Sequence, residues 1–158
     1  MGVRCGLGYD SHRLVEGRPL VLGGVVLASE HGLHGHSDAD VLTHAVIDAL
    51  LGAAALGDIG MHFPDNDECW RDADSIELLR AAVARVHEAG YAIVNVDATV
   101  VMEAPKLGPA REQMCARLAE ALGLRPGGVN VKATTGEGIG FVGRGEGVAA
   151  LAIATLDG

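Results

Sequence analysis

Residues 37–56, which read SDADVLTHAVIDALLGAAAL, contain the clearest helical pattern in the chain. Their apolar residues recur at intervals of three and four, which predicts a buried α-helix that ends before Gly57. Ser37 is the predicted N-cap of this helix. Asp38 and Asp40 are predicted to lie in its first turn, where carboxylates face the positive end of the helix dipole.

One carboxylate and two imidazoles form a candidate metal site. Asp10 and His12 are two residues apart near the end of an apolar N-terminal run, and alternate side chains of a strand leave the same face. His44 lies on a polar stripe of the predicted helix, in register with Asp40 and Asp48. This ligand set suits zinc and leaves a fourth position open for substrate or water. A closed structural site would need a fourth ligand, usually a thiolate, and none of the three cysteines is near in sequence.

The same residues have a less specific explanation. An Asp-x-His triplet is common by chance, and short motifs have a high false-positive rate. A single histidine on an amphipathic helix is more often a packed or solvated residue than a ligand. The cluster of His36, Asp38, Asp40 and His44 favours metal binding, but spacing alone leaves both explanations open.

The remaining pattern predicts one α/β (α+β) domain over residues 1–158. The β-rich runs 3–9 and 19–27 are predicted to form an N-terminal hairpin-like unit, with a bend at Gly23 and Gly24. The other predicted elements are a long loop at 58–74, helices at 75–89 and 109–122, and strands at 91–102, 129–135 and 147–156. This order indicates a mixed β-sheet with helices packed on one face.

A glycine-rich segment at 136–147 reads GEGIGFVGRGEG and contains a formal G-x-G-x-x-G match. A strand-like run follows it, whereas a dinucleotide-binding motif opens a helix, so a Rossmann site is rejected. There is no G-x-x-x-x-G-K-[ST] motif either. A glycine-rich turn between strands explains most of the glycines. It does not explain Thr134, Thr135 and Glu137, whose oxygens could meet a phosphate and its metal.

Composition excludes several classes of protein. The 158 residues are 49% hydrophobic with a net charge of −9, which fits a globular domain and argues against general binding to nucleic acid or anionic membranes. Cys5, Cys69 and Cys115 form no C-x-x-C pair and are expected to be reduced thiols. No apolar run is long enough to cross a bilayer, and no signal peptide is recognisable. We therefore expect a cytoplasmic protein.

Seven motifs together resemble the 2-C-methyl-D-erythritol 2,4-cyclodiphosphate synthase family of the non-mevalonate isoprenoid pathway. They are G-Y-D-S-H at 8–12, H-S-D-A-D-V-x-x-H at 36–44, D-A-L-L-G-A-A-A-L-G-D-I-G at 48–60, F-P-D at 63–65, A-P-K at 104–106, V-N-V-K-A-T-T at 129–135 and G-R-G-E-G at 143–147. Only the stretch at 48–56 could be explained by core packing. Seven motifs in this order are far more specific than any one alone.

The resemblance implies a lyase that assembles as a homotrimer with active sites between subunits. Its substrate would be 4-diphosphocytidyl-2-C-methyl-D-erythritol 2-phosphate, whose 2-phosphate attacks the β-phosphate, closing a cyclic diphosphate and releasing CMP. The family's cofactors would be Zn²⁺, or another divalent ion, and Mg²⁺ or Mn²⁺ held with the substrate diphosphate. No nucleic acid or membrane partner is implied.

The resemblance also assigns residues. Asp10, His12 and His44 match its zinc ligands, Glu137 matches the magnesium or manganese ligand, and His36 and Thr135 match the groups that stabilise the transition state. The resemblance also implies substrate contacts for five of these residues, namely Asp10, His12, His36, Thr135 and Glu137. The further substrate-binding positions are Ser37, Asp58, Ile59, Gly60, Phe63, Asp65, Asp67, Met102, Ala104, Pro105, Lys106, Leu107, Gly108, Thr134, Phe141 and Arg144.

The chain departs from the family pattern at two places. Gly136 and Gly138 stand where many members carry bulkier residues, which predicts a more mobile loop around Glu137. Glu103 places an acidic group beside the expected nucleotide diphosphate.

Two other functions stay open at this point. A metal-dependent phosphohydrolase could use the open zinc position to activate water, with Asp58 or Asp65 as general base. A non-enzymatic module that binds metal or nucleotide fits less well, because polar groups lie on five separate elements.

Overall fold

The computed structural model describes residues 2–158 as a mixed sheet covered by helices, and it confirms the expected single-domain α/β fold. The strands are β1 (Val3–Glu16), β2 (Leu20–Leu22), β3 (Val25–Leu27), β4 (His31–Leu33), β5 (Ala92–Val101), β6 (Val129–Thr134) and β7 (Gly147–Asp157). The helices are α1 (Val41–Ala53), α2 (Ile59–His62), α3 (Ser75–Glu88), α4 (Ala110–Leu122) and α5 (Gly140–Gly143), with 3₁₀ turns at Glu68–Trp70 and Pro126–Gly128.

Five strands form the main sheet in the order β4-β1-β7-β5-β6. Strands β5 and β6 are parallel, and every other neighbouring pair in this sheet is antiparallel. The long pairing of β1 with β7 runs from Val3 opposite Asp157 to Arg13 opposite Gly147. The first and last strands of the chain therefore lie side by side at the centre of the sheet.

Helix α1 packs against β1 at very short range. A Cβ atom built on Gly8 would lie 1.8 Å from the carbonyl oxygen of Ala45, and one on Gly6 would lie 2.1 Å from that of Ala49. Only glycine fits at such distances, because the neighbouring atoms belong to the helix backbone. Most of α1 is fully buried, and Leu42, Ile47 and Leu50 are among its core residues. The helix that carries His44 is thereby fixed directly on the strand that carries Asp10.

The opposite face of the sheet is uncovered and apolar at its centre. Leu7 and Tyr9 of β1 are 66% and 52% exposed, and their cross-strand partners Ile153 and Leu151 of β7 are 48% and 38% exposed. Val3 extends this surface and is 71% exposed. We call the patch formed by these five residues the open sheet face. A contiguous apolar patch of this kind is typical of a protein–protein contact.

Three predictions about the N-terminal half are wrong. The strand predicted at 3–9 continues to Glu16, so Asp10 and His12 lie within it. The run 19–27 does not pair with 3–9. It folds on itself as a β2–β3 hairpin with Gly23 and Gly24 in the turn. Helix α1 begins at Val41 rather than near Ser37, and its N-cap is Asp40, whose carboxylate accepts hydrogen bonds from the backbone N–H and the hydroxyl of Thr43. The same carboxylate accepts from the backbone N–H groups of Gly23 and Gly24, so one buried side chain joins the helix to the hairpin.

The later elements follow the predicted order closely. The predicted helices at 75–89 and 109–122 and the three C-terminal strands form within one or two residues of the expected bounds. The predicted loop 58–74 contains α2 and a 3₁₀ turn, and strand β4 and helix α5 were not anticipated. These extra elements are three or four residues long, too short to leave a periodic pattern. Within residues 2–158, every helix is too short or too polar to span a membrane.

Candidate functional site

Strand β1 supplies two of the three predicted metal ligands. Asp10 and His12 are opposite Ala150 and Val148 of β7, so their backbones are extended and their side chains leave the same face. That face is the one covered by α1, since it continues from Gly8. Asp10 and His12 therefore leave the same face of the strand, as their spacing predicted, and point toward the helix layer.

Helix α1 supplies the third predicted ligand, His44, whose ring is almost buried. Its Nδ1 lies 3.1 Å from Oδ2 of Asp10 and 3.3 Å from Nε2 of His12. The Nε2 of His12 lies 2.8 Å from the same Asp10 oxygen. All three ligand atoms lie within 4.8 Å of one another, a group that could hold a metal ion. His36, the other histidine of the cluster, is not part of this group.

The hydrogen bonds of His12 indicate which of its nitrogens faces the centre of the group. Its Nδ1 lies 2.9 Å from the carbonyl oxygen of His34, an acceptor, so Nδ1 carries the hydrogen. In the neutral ring, Nε2 then has the lone pair, which a metal ion could bind between Asp10 and His44. Two nitrogens and a carboxylate that converge in this way suit a divalent cation, and the N₂O donor set fits zinc with one position open.

Burial and hydrogen bonding compete in setting the charges of this group. Burial alone would raise the pKa of Asp10, but the hydrogen bonds and positive charge of His12 and His44 outweigh it and hold the pKa at about 2. Burial would lower the pKa of His12, but its hydrogen bond and attraction to Asp10 outweigh burial and raise it above 6.5. Without metal, Asp10 is therefore ionised, and the raised pKa of His12 favours a proton on that ring. A cation must displace this proton when it binds.

A cavity of about 600 Å³ opens over the three ligands. The residues of the expected substrate site that line it, besides the three ligands, are His36, Ser37, Ile59, Gly60, Phe63 and Asp65. The lining residues that were not predicted from the sequence are His34, Gly35, Pro64, Asn66, Trp70 and Leu78. Trp70 could have been suspected as the only tryptophan of the chain, inside a long loop. It packs edge-on against Phe63 at 5.0 Å between ring centroids.

The loop that carries His36 and Ser37 is held from both sides. The guanidinium of Arg18 donates to the carbonyl oxygens of Gly35 and Ser37 at 2.9 and 2.8 Å. The ring of His36 is hydrogen-bonded through Nε2 to the carbonyl oxygen of Asp67 at 3.0 Å. Asp67 lies outside the cavity and acts on this loop through its backbone.

Asp58 also lies outside the cavity lining, and its carboxylate caps α2 by accepting from the N–H of Met61.

A separate cavity of about 360 Å³ gathers most of the residues expected to contact the nucleotide. It is lined by Met102, Pro105, Lys106, Leu107, Gly108, Thr134 and Thr135, together with Glu103, Arg111 and Ala133. Ala104 faces a neighbouring cavity instead. The two cavities of about 600 and 360 Å³ have no lining residue in common. Within one chain, the predicted metal ligands and the expected nucleotide pocket therefore line separate cavities.

Glu103 joins the nucleotide pocket to the glycine-rich loop. Its carboxylate accepts a hydrogen bond from the backbone N–H of Gly136 and so faces the loop. A Cβ atom on Gly136 would lie 2.8 Å from the backbone nitrogen of Gly143, so a larger residue would displace the turn. The acidic residue that departs from the family pattern is thus a link between two parts of the site.

Glu137 is exposed and stands in neither large cavity. Its backbone has φ of 54°, a left-handed conformation that is uncommon for residues other than glycine, and its N–H donates to the hydroxyl of Thr135 at 3.1 Å. Arg144 is also exposed and pairs with Glu146 at 2.8 Å. Phe141 lies over β1, in a small cavity that it shares with His12. Phe141 and Arg144 therefore lie near the C-terminal half of β1, whereas Glu137 adjoins the predicted nucleotide pocket through Thr135.

The chain is similar to known proteins along nearly its whole length. The model described as the YgbB family matches residues 3–157. Proteins named 2-C-methyl-D-erythritol 2,4-cyclodiphosphate synthase in Salinibacter ruber and Desulfatibacillum aliphaticivorans are 64% and 59% identical, over 98% of this chain and 98% and 100% of theirs.

Solved structures show the same similarity. A CDP-bound 2C-methyl-D-erythritol-2,4-cyclodiphosphate synthase superposes with a TM-score of 0.89 and 40% identity, covering 98% of this chain and 100% of its own. The bifunctional IspDF of Campylobacter jejuni gives a TM-score of 0.95 and 44% identity over 98% of this chain, which spans 42% of that larger protein. The chain therefore belongs to the YgbB family, to which the 2-C-methyl-D-erythritol 2,4-cyclodiphosphate synthases belong.

Proposed function

We propose that this protein converts 4-diphosphocytidyl-2-C-methyl-D-erythritol 2-phosphate to 2-C-methyl-D-erythritol 2,4-cyclodiphosphate in isoprenoid precursor biosynthesis. An oxygen of the 2-phosphate forms a bond to the β-phosphorus. The bond from that phosphorus to the bridging oxygen breaks, and CMP leaves with the bridging oxygen. The observation that carries the proposal is the Asp10, His12 and His44 group at the base of a large cavity, in a chain 64% identical to a named synthase.

The chain's own residues bind and orient the reacting groups. Asp10, His12 and His44 would hold zinc, and Glu137 would hold magnesium or manganese. When bound, these ions would draw charge from the phosphate oxygens. His36 and Thr135 are proposed to donate hydrogen bonds where negative charge develops. Phosphoryl transfer of this kind needs positioning and charge stabilisation rather than a protein nucleophile. The three free cysteines are consistent with that requirement.

The division of the site between two cavities supports an assembly in which neighbouring subunits complete each active site. The metal ligands line one cavity, and Lys106 and Thr135 line another with no shared residue. The open sheet face supplies an apolar surface for such an assembly. We propose a homotrimer with its active sites between subunits.

The open sheet face provides a test of this assembly. Ile153→Asp should dissociate the trimer and remove activity, because a carboxylate would be buried at an apolar contact without a partner. Val26→Asp is a matched control, since Val26 is 68% exposed on the β2–β3 hairpin, away from this face. Sedimentation velocity checks both variants. A fully active monomer of the unmodified protein would contradict the proposal.

The activity itself is tested by incubating the protein with the diphosphocytidyl substrate and analysing the products. We expect CMP and a cyclic diphosphate in equal amounts. A phosphohydrolase would give a linear phosphate, and a binding module would give no product. Neither alternative is supported by the relatives described above, which are named for the cyclisation or as a bifunctional enzyme.

Glu137→Gln tests the second metal ion. We expect the variant to keep its zinc and its fold but lose magnesium-dependent turnover, because the amide oxygen lacks the charge that binds a hard cation. Glu88→Gln, which changes an exposed carboxylate at the end of α3, is the control. Turnover is measured across a magnesium titration. The same magnesium dependence in Glu137→Gln and the unmodified protein would remove Glu137 from the site.

A further inference from the structure

The nitrogen of His44 that faces away from the metal group is enclosed by two hydroxyls. Its Nε2 lies 2.8 Å from Oγ of Ser75, the first residue of α3, and 3.2 Å from Oγ of Ser37. Ser75 is fully buried, and Ser37 and the His44 ring are nearly so. Water is therefore largely excluded from this side of the ring, and these hydroxyls decide how the ring is oriented.

Asp38 determines the direction in which the Ser75 hydroxyl points. One carboxylate oxygen of Asp38 accepts the Ser75 hydroxyl hydrogen, and the other accepts the backbone N–H of Ser75 at 2.9 Å. A serine hydroxyl has a single hydrogen to donate. Because Asp38 takes that hydrogen, Ser75 can offer only a lone pair to His44.

Ser75 is the closer of the two hydroxyls, so its need for a donor favours a neutral His44 ring that carries its hydrogen on Nε2 and donates it to Ser75. This leaves the lone pair on Nδ1, the nitrogen that lies 3.1 Å from Oδ2 of Asp10. A metal can bind only the unprotonated nitrogen. The two hydrogen bonds that link Asp38 to Ser75 and Ser75 to His44 therefore select the tautomer that can act as a ligand. Histidine ligands of metals commonly rely on such a partner at the second ring nitrogen.

We infer that Asp38 and Ser75 are positioning residues of the metal centre, which act together to orient His44 and to set its tautomer. The inference rests on metal binding at Asp10, His12 and His44 as proposed above. It replaces the sequence prediction for Asp38, which was expected to face a helix dipole in the first turn of α1. Asp38 instead precedes that helix and reaches across to the start of α3, with its own N–H bound to the carbonyl oxygen of Ala73 at 3.2 Å.

Ser75→Ala and Asp38→Asn test the inference through zinc affinity, measured by chelator competition without substrate. Each change should weaken zinc binding by about 10- to 100-fold. The amide of Asp38→Asn has nearly the carboxylate's shape but cannot accept at both oxygen positions. The double variant should lose no more than the worse single variant, because both residues act through one hydrogen bond to His44. With cobalt in place of zinc, the visible spectrum of each variant should change.

Two control variants separate positioning from general stability. Ser11→Ala removes a hydroxyl between the two β1 ligands, on the opposite face of the strand, and should bind zinc normally. Asp74→Ala removes the N-cap of α3, whose carboxylate accepts from the N–H of Ile76 at 2.9 Å. It should lower the melting temperature of the metal-free protein and leave zinc affinity unchanged.

Normal zinc affinity and an unchanged cobalt spectrum in Ser75→Ala and Asp38→Asn would overturn the inference. Additive losses in the double variant would show that the two residues do not act through one path and would also overturn it. Ser75→Thr keeps the hydroxyl and should restore binding relative to Ser75→Ala. A protein that binds zinc normally but makes no cyclic product would refute the proposed function and leave the role of Asp38 and Ser75 intact.

Discussion

Replacing His44 with alanine should release the metal from the proposed zinc site and abolish cyclisation. The same result is expected for alanine at Asp10 and at His12, because three ligands are the minimum for an open catalytic zinc site. We expect turnover to fall by about 10⁴-fold or more, since a metal acting on phosphate contributes several kcal/mol to the transition state. The fold should survive, because the chain has a large apolar core that does not depend on the metal.

His36→Ala is the informative contrast to these three variants. His36 lines the same cavity but is bound to the carbonyl oxygen of Asp67 rather than to the metal group. It should keep its zinc and lose about 10²- to 10³-fold in turnover, the loss typical of one transition-state donor. Zinc content of the four purified variants decides the assignment. Zinc retained by His44→Ala and lost by His36→Ala would show that the wrong histidine has been assigned.

Gly8→Ala should damage both the fold and the metal site. The added methyl group would lie 1.8 Å from the carbonyl oxygen of Ala45 and 2.8 Å from the backbone nitrogen of Ala49. Since both atoms belong to the α1 backbone, the helix must move away from β1. We expect the free energy of unfolding to fall by about 3 kcal/mol, the upper part of the range for overpacking. His44 would move with the helix, so zinc affinity should fall as well.

Gly52→Ala is the matched control for Gly8→Ala. Gly52 lies in α1 itself, and a methyl group there would be 4.0 Å from the carbonyl oxygen of Leu7, an ordinary contact. This variant should be as stable as the unmodified protein or more stable by up to about 1 kcal/mol, because alanine favours a helix over glycine. Thermal unfolding and zinc titration measure both effects. A Gly8→Ala variant with unchanged stability and zinc affinity would show that β1 and α1 tolerate a larger separation.

The local sequence pattern was sufficient to predict the helices and strands that are long and periodic. Alternation in the N-terminal run placed Asp10 and His12 on one strand face, and helical spacing placed His44 on a buried helix; the structure brings the three together. These features depend on dihedral preferences and burial within a few residues, which the sequence carries directly. Helix α4 ends at Leu122, as predicted, because Gly123 follows it in a left-handed conformation.

We predicted the N-cap of α1 at Ser37, whereas it is Asp40. The same physical reason explains why the contact between Asp38 and Ser75 was not predicted. Ser37, Asp38 and Asp40 are all good N-cap residues, and sequence preference does not separate them. Asp40 caps the helix because its carboxylate also binds the turn of the β2–β3 hairpin. Asp38 is thereby left free to bind Ser75, 37 residues away in the chain.

The sequence of this chain by itself determines the family motifs, the three proposed metal ligands and the order of helices and strands, because each depends on neighbouring residues. Long-range packing alone decides the rest. It sets the contact between Gly8 and Ala45 that brings α1 onto β1, the division of the predicted site between two cavities, and the apolar patch around Ile153. These features depend on distances between residues far apart in the chain, and local spacing holds no information about such distances.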